Sequence, residues 1–184
     1  MARYLHRATA GKPTIVHRDI KPENVLLKDG AALLGDVGIA REMAITYART
    51  MVRGTFVFLD PEYEASQRLT TASDVYSAGI VVFQLLAGAD TVVATVAYSL
   101  TEGLPPAERW PRRWEAQQHN CSPTAVAQGA WPGALAERFH RIGAHCIARA
   151  SADRPTSAMA RDRVEGLQRL PFVRAFASDS NIIV

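Results

Sequence analysis

The chain has 184 residues, 48% of them hydrophobic and 21% charged, which is one domain's length with enough apolar side chain to bury a core. That balance excludes a collagen-like or disordered chain, and a formal net charge of +3 is too mild to argue for nucleic acid as a partner. Two cysteines, Cys121 and Cys146, can build neither a disulfide framework nor a four-cysteine zinc site.

In chain order, residues 2 to 9 suit a short helix, ended by Gly11-Lys12-Pro13, and Thr14-Ile15-Val16 is a brief β-prone run. Asn24–Leu27 and Ala31–Leu34 are apolar runs around Lys28-Asp29-Gly30, a strong hairpin signal because Asp and Gly both tolerate positive φ. From Gly35 to Glu64 no period is sustained, so a long loop is expected, and loops of that length usually carry function. Ser73 is placed to cap a helix through Ala87, stopped by Gly88, and its apolar residues on all sides predict a central core helix. The apolar stretch from Gly79 to Leu100 is interrupted by Gln84 and Asp90, too short to span a bilayer. Residues 89 to 132, punctuated by proline and tryptophan, read mostly as loop. Helices follow from Pro132 to about Ala148 and from Ser157 to Leu170, stopped by Pro171, with a frayed tail after Ala177.

The residues with chemical character concentrate early. Val16-His17-Arg18-Asp19-Ile20-Lys21-Pro22-Glu23-Asn24 fixes five polar identities at set spacing, each matched by chance about one time in twenty. Gly35-Asp36-Val37-Gly38 follows the hairpin, twelve residues after Asn24. Further on come Gly54-Thr55, Leu59-Asp60-Pro61-Glu62-Tyr63, Ser73-Asp74-Val75-Tyr76-Ser77 and Asp153-Arg154-Pro155. The spacing of His119, Cys121, His140, His145 and Cys146 fits no standard metal site.

Taken in this order, the segments resemble the C-terminal lobe of a eukaryotic serine/threonine protein kinase. Their detail is similar to plant receptor-like and receptor-like cytoplasmic kinases, and Ala130-Trp131-Pro132 is similar, more weakly, to the U-box-associated group. The resemblance implies a mainly α fold with a small β-hairpin at the catalytic loop: a partial kinase domain over residues 1–172 and a tail over 173–184. It implies that Asp19 orients the substrate hydroxyl and Lys21 neutralises the migrating phosphoryl group, while Asn24 and Asp36 hold magnesium beside ATP. Thr55 would contact Asp19 and Lys21 on the substrate side. Arg18 would suit regulation by phosphate on Thr50 or Thr46. His17, Gly38 and Asp74 would be structural, and Glu62 and Arg154 would form a buried ion pair.

The same resemblance sets an expectation about what is lacking. Only sixteen residues precede His17, no G-x-G-x-x-G occurs, and Lys12, Lys21 and Lys28 do not fit the N-lobe strand lysine. An N-lobe is therefore expected to be absent, the chain alone inactive, and the face toward the missing lobe an open apolar patch. Protein substrates, and an upstream kinase or receptor, are the implied partners, at a cytoplasmic location or the cytoplasmic side of a membrane. No nucleic acid and no membrane segment are expected. The alternative is a non-catalytic kinase-like binding module or decoy.

Overall fold

The computed structural model describes residues 2–29, 31–42, 54–87 and 133–168. Among the described residues there are five α-helices, α1 (Ala2–His6), α2 (Pro61–Ser66), α3 (Thr71–Ala87), α4 (Gly133–Cys146) and α5 (Ser157–Gln168). Four strands accompany them, β1 (Ile15–Val16), β2 (Val25–Lys28), β3 (Ala31–Leu34) and β4 (Arg41–Glu42). Over these residues the fold is thus mainly helical with two small sheets.

The expected hairpin forms. β2 pairs antiparallel with β3, Val25 opposite Leu34 and Lys28 opposite Ala31, and Asp29 takes the left-handed conformation at φ 51° that its turn demands. The stretch from Gly35 to Glu64 is not one loop. It contains β4, which pairs with β1 through Ile15 opposite Glu42 and Val16 opposite Arg41, a 3-10 turn at Phe56–Phe58, and the start of α2. Two-residue ladders and one-turn helices are too short to show a period in the sequence. Proline at the first helical position and Asp60 as N-cap, accepting from the Glu62 amide at 3.0 Å, explain why α2 starts where it does.

Helix α3 is the core element, with Val75, Tyr76, Ile80, Phe83 and Leu86 buried. It begins at Thr71, two residues before the expected cap at Ser73. The Ser73 amide donates to the Thr70 carbonyl at 3.1 Å, so Ser73 already lies inside the first turn. One apolar cluster joins Phe58, Tyr76, Ile80, Phe83, Leu86, Ala136 and Ile147. A second joins Val75 to Leu135, Ile142, Cys146 and Leu167, and each large aliphatic or aromatic side chain so buried contributes about 1.5–3 kcal/mol. Burial also pushes the Cys146 thiol up to about 11, which makes it a packing residue at neutral pH. Cys121, the 89–132 segment and the tail lie outside the described residues. Among the described residues no helix is long and apolar enough to cross a membrane.

Glycines set the closeness of α3 to α4. A Cβ on Gly79 would meet Ile147 Cγ2 at 2.7 Å and Cys146 Cβ at 2.8 Å. Gly79→Ala is therefore expected to force the helices apart and cost about 1–3 kcal/mol. A lower urea midpoint at unchanged m-value would show it, whereas an unchanged midpoint would mean that the crossing adjusts without cost.

Candidate catalytic site

The turn between β1 and β2 carries the site. Its backbone is held by a buried carboxylate on α3: Asp74 accepts from the His17 amide at 2.7 Å, the Arg18 amide at 2.9 Å and His6 Nε2 at 2.8 Å. These bonds hold Arg18 at φ 75°, a conformation a bulky residue adopts only when its surroundings impose it. His17 is fully buried. Its Nε2 lies 2.9 Å from the Gly35 carbonyl and its Nδ1 3.3 Å from the Asp19 amide. A carbonyl can only accept and an amide N–H only donate, so the ring is the neutral Nε2–H tautomer. It ties Asp19 to the segment that leads into Asp36.

Asp19 is surrounded by donors. Its Oδ1 accepts from the Thr55 amide at 3.0 Å and the Thr55 hydroxyl at 2.7 Å. Its Oδ2 lies 2.9 Å from Lys21 Nζ and 3.2 Å from Asn24 Nδ2. Lys21 also donates to Thr55 Oγ1 at 2.9 Å. Burial works to raise the Asp19 pKa, but the hydrogen bonds from Lys21 and Thr55 and the charge of Lys21 outweigh it, leaving the carboxyl below its usual value. The hydrogen bond to Asp19 raises Lys21, assisted by the nearby charges of Glu23 and Asp36. Gly54 makes the approach of Thr55 possible: at φ 134°, a Cβ there would lie 2.6 Å from the Arg18 carbonyl oxygen.

Across the hairpin mouth the Gly35 amide donates to the Asn24 carbonyl at 2.8 Å, which brings the segment carrying Asp36 alongside Asn24. Asp36 sits at φ 53°, and its Oδ1 accepts from the Gly38 amide at 3.3 Å. A Cβ on Gly38 would come within 3.1 Å of that oxygen. Both side-chain hydrogen bonds of Asn24 leave from Nδ2, toward the Asp19 carbonyl at 2.8 Å and Oδ2 at 3.2 Å, so its Oδ1 remains an available donor atom. Asn24 Oδ1 and the Asp36 carboxylate are hard oxygen ligands that fit magnesium. Among the described residues no group of three or more His, Cys, Asp or Glu forms a metal site.

The expected Glu62–Arg154 ion pair is present at 3.8 Å, but it is not the buried pair. Arg154 is held by Asp60, through Nη1 to Oδ2 at 2.8 Å and Nη2 to Oδ1 at 3.0 Å, both side chains buried. The Glu62 side chain is 44% exposed, and it also accepts from the Ser151 amide at 2.7 Å and hydroxyl at 2.8 Å. The forked guanidinium takes the carboxylate that faces it squarely, and Asp60, as the cap of α2, points inward. Asp60, Ser151 and His6 are the residues that sequence reasoning missed. The Asp-Pro start of α2 was the available signal for Asp60. Arg18 donates to the Ile39 carbonyl at 3.3 Å and the Tyr63 hydroxyl at 3.0 Å. Thr46 and Thr50 lie outside the described residues.

The class follows from comparison with known proteins. The family model of the protein kinase domain matches residues 2–163, and the chain belongs to that family. It is 34% identical over 160 residues to a probable receptor-like protein kinase of Arabidopsis thaliana, covering 83% of this chain and 18% of the relative. The receptor-like protein kinase HERK 1 of the same plant is 32% identical over 157 residues, 83% of this chain and 18% of its own length. FERONIA, also from Arabidopsis thaliana, is 41% identical over 109 residues, 55% of this chain and 12% of its own. The chain thus spans less than a fifth of each of these relatives.

The Asp19–Lys21 pair has a pH signature. Asp19, lowered from 3.8, contributes stability above that value and loses it as pH falls through the lower folded pKa. Lys21, raised from 10.5, contributes below that value and loses it as pH rises through the higher folded pKa. Both contributions are in place at pH ~7. The destabilisation by Lys21→Met, followed by urea unfolding at neutral and at acid pH, is therefore expected to be largest near neutrality and to shrink as the pH is taken down below 3.8. An equal difference at both pH values would assign the effect to packing.

Proposed function

We propose that the chain is the C-lobe portion of a serine/threonine protein kinase, transferring phosphoryl groups from magnesium-ATP to protein hydroxyls once an N-lobe is supplied. The observation that carries this reading is the Asp19 carboxylate held jointly by Thr55, Lys21 and Asn24, with Asp36 across the hairpin mouth. A carboxylate offers about four acceptor positions, and four donors fill them. A substrate hydroxyl must therefore replace one donor. Lys21 is the donor that can serve twice. Moving from Asp19 toward the transferring phosphoryl oxygens, it would free Oδ2 for the incoming hydroxyl and bring positive charge to the phosphate. Thr55 keeps Oδ1 fixed meanwhile. Asn24 Oδ1 and Asp36 would hold magnesium, which when bound would supply charge neutralisation.

The N-lobe requirement is supported by the hairpin surface. Leu26 is 58% exposed, Leu27 82% and Val37 58%, and as consecutive residues of β2 the two leucines leave apolar side chains on both faces of the hairpin. The chain holds no glycine-rich phosphate loop, so its own residues leave the nucleotide unpositioned. The same exposed surface favours a second reading, a non-catalytic module that covers these leucines with a partner. On the kinase reading the domain acts on protein substrates, in the cytoplasm or, as part of a receptor, on the cytoplasmic side of a membrane.

Joined to an N-lobe, the chain is expected to incorporate phosphate into serine or threonine peptides, with Asp19→Asn lowering kcat by about 10²–10⁴-fold. Equal activity in the variant would remove Asp19 from the mechanism. The 184-residue chain alone is expected to show no thermal shift with magnesium-ATP. A saturable shift would mean that nucleotide binding needs no second lobe.

A further inference from the structure

Helix α4 carries Arg138, Arg141 and His145 at spacings of three and four residues, on one side of the helix, and α5 contributes Arg163. These four surround a cleft of about 420 Å³ that also includes Ile142 and Leu167, both buried. One wall is open at Gly166, where a Cβ would meet nothing within 4 Å. Among the described residues the positive charge is not neutralised locally. On α5 Arg161 engages both nearby carboxylates, Asp162 at 3.2 Å and Glu165 at 3.2 Å. Glu137, four residues before Arg141, forms no ion pair with it. No described carboxylate lies within 4.0 Å of Arg138, Arg141 or Arg163. Arg163 Nη1 lies 3.3 Å from His145 Nδ1. Guanidinium only donates, so that ring nitrogen accepts and the imidazole is neutral.

We propose that this cleft binds an acidic peptide segment of a partner protein. Its carboxylates would be taken by Arg138, Arg141 and Arg163, and one aliphatic side chain would rest on Ile142 and Leu167. Arginines gathered around a concave site repel one another until an anion lies between them, and their forks match carboxylates in pairs. An anionic lipid surface would satisfy the charge, but the recessed apolar floor suits a side chain entering between two helices. Among the described residues none of these groups hydrogen-bonds to the catalytic loop, so the proposal stands apart from the phosphotransfer reading.

The probe is a fluorescein-labelled Glu-Glu-Leu-Glu-Glu peptide titrated with the full chain, read by anisotropy. Saturable binding is expected, weakened about tenfold or more by Arg141→Gln with Arg163→Gln. Arg3→Gln with Arg7→Gln removes the same charge from the N-terminal segment around α1 and is expected to stay within about twofold. Gly166→Leu fills the cleft without changing charge and should also weaken binding. Equal loss in both arginine pairs, or no saturation at roughly millimolar peptide, would overturn the proposal. So would binding only to phosphatidylserine–phosphatidylcholine vesicles, which would make the cleft a membrane contact.

Discussion

Asp74 is almost wholly buried, and it is surrounded by the His17 and Arg18 amides and His6 Nε2. A buried carboxylate is costly unless its acceptors are filled, and here the filling groups belong largely to the very turn that presents Asp19. The core helix and the reactive loop are therefore one unit. Stabilising α3 fixes the loop, and loosening the loop would leave a charge in the core short of partners. His17 extends the same constraint to Gly35, so one chain of hydrogen bonds runs from α3 through the loop to the segment holding Asp36.

A second constraint, the Asp60–Arg154 pair, closes the far side. Arg154 also donates to the Ala148 carbonyl at 2.8 Å and the Ala72 carbonyl at 3.1 Å, and its guanidinium lies over the Tyr76 ring at 5.1 Å. The start of α2, the start of α3 and the link between α4 and α5 thus meet at one side chain. Such a group holds position by saturating its donors, and removing either partner would cost about 3–5 kcal/mol.

How much of this could be read from residues alone divides by interaction range. The hairpin, α3, α4 and α5 were legible because turn chemistry and apolar patterning are local. The grouping of Asp19, Lys21, Asn24 and Thr55 was legible because the motif resemblance carries geometry that spacing does not. What could not be read depended on direction in space. Asp60 and Glu62 are two residues apart, and only the entry angle of α2 decides which faces Arg154. His6 looks like an ordinary surface histidine until α1 is laid against α5 and its ring reaches Asp74 on α3. β4 exists because Val16 and Arg41 meet, a pairing with no sequence pattern behind it.

The saturated carboxylate has one more implication, on the phosphotransfer reading. With all its acceptor positions taken, Asp19 has none to offer a passing water molecule. It becomes a competent base only as Lys21 withdraws, and what draws Lys21 away is the phosphate charge itself. The resting geometry would then act as an interlock: arrival of the donor releases the base, and an empty site stays chemically silent. Idle hydrolysis would be restrained by the same side chains that perform transfer.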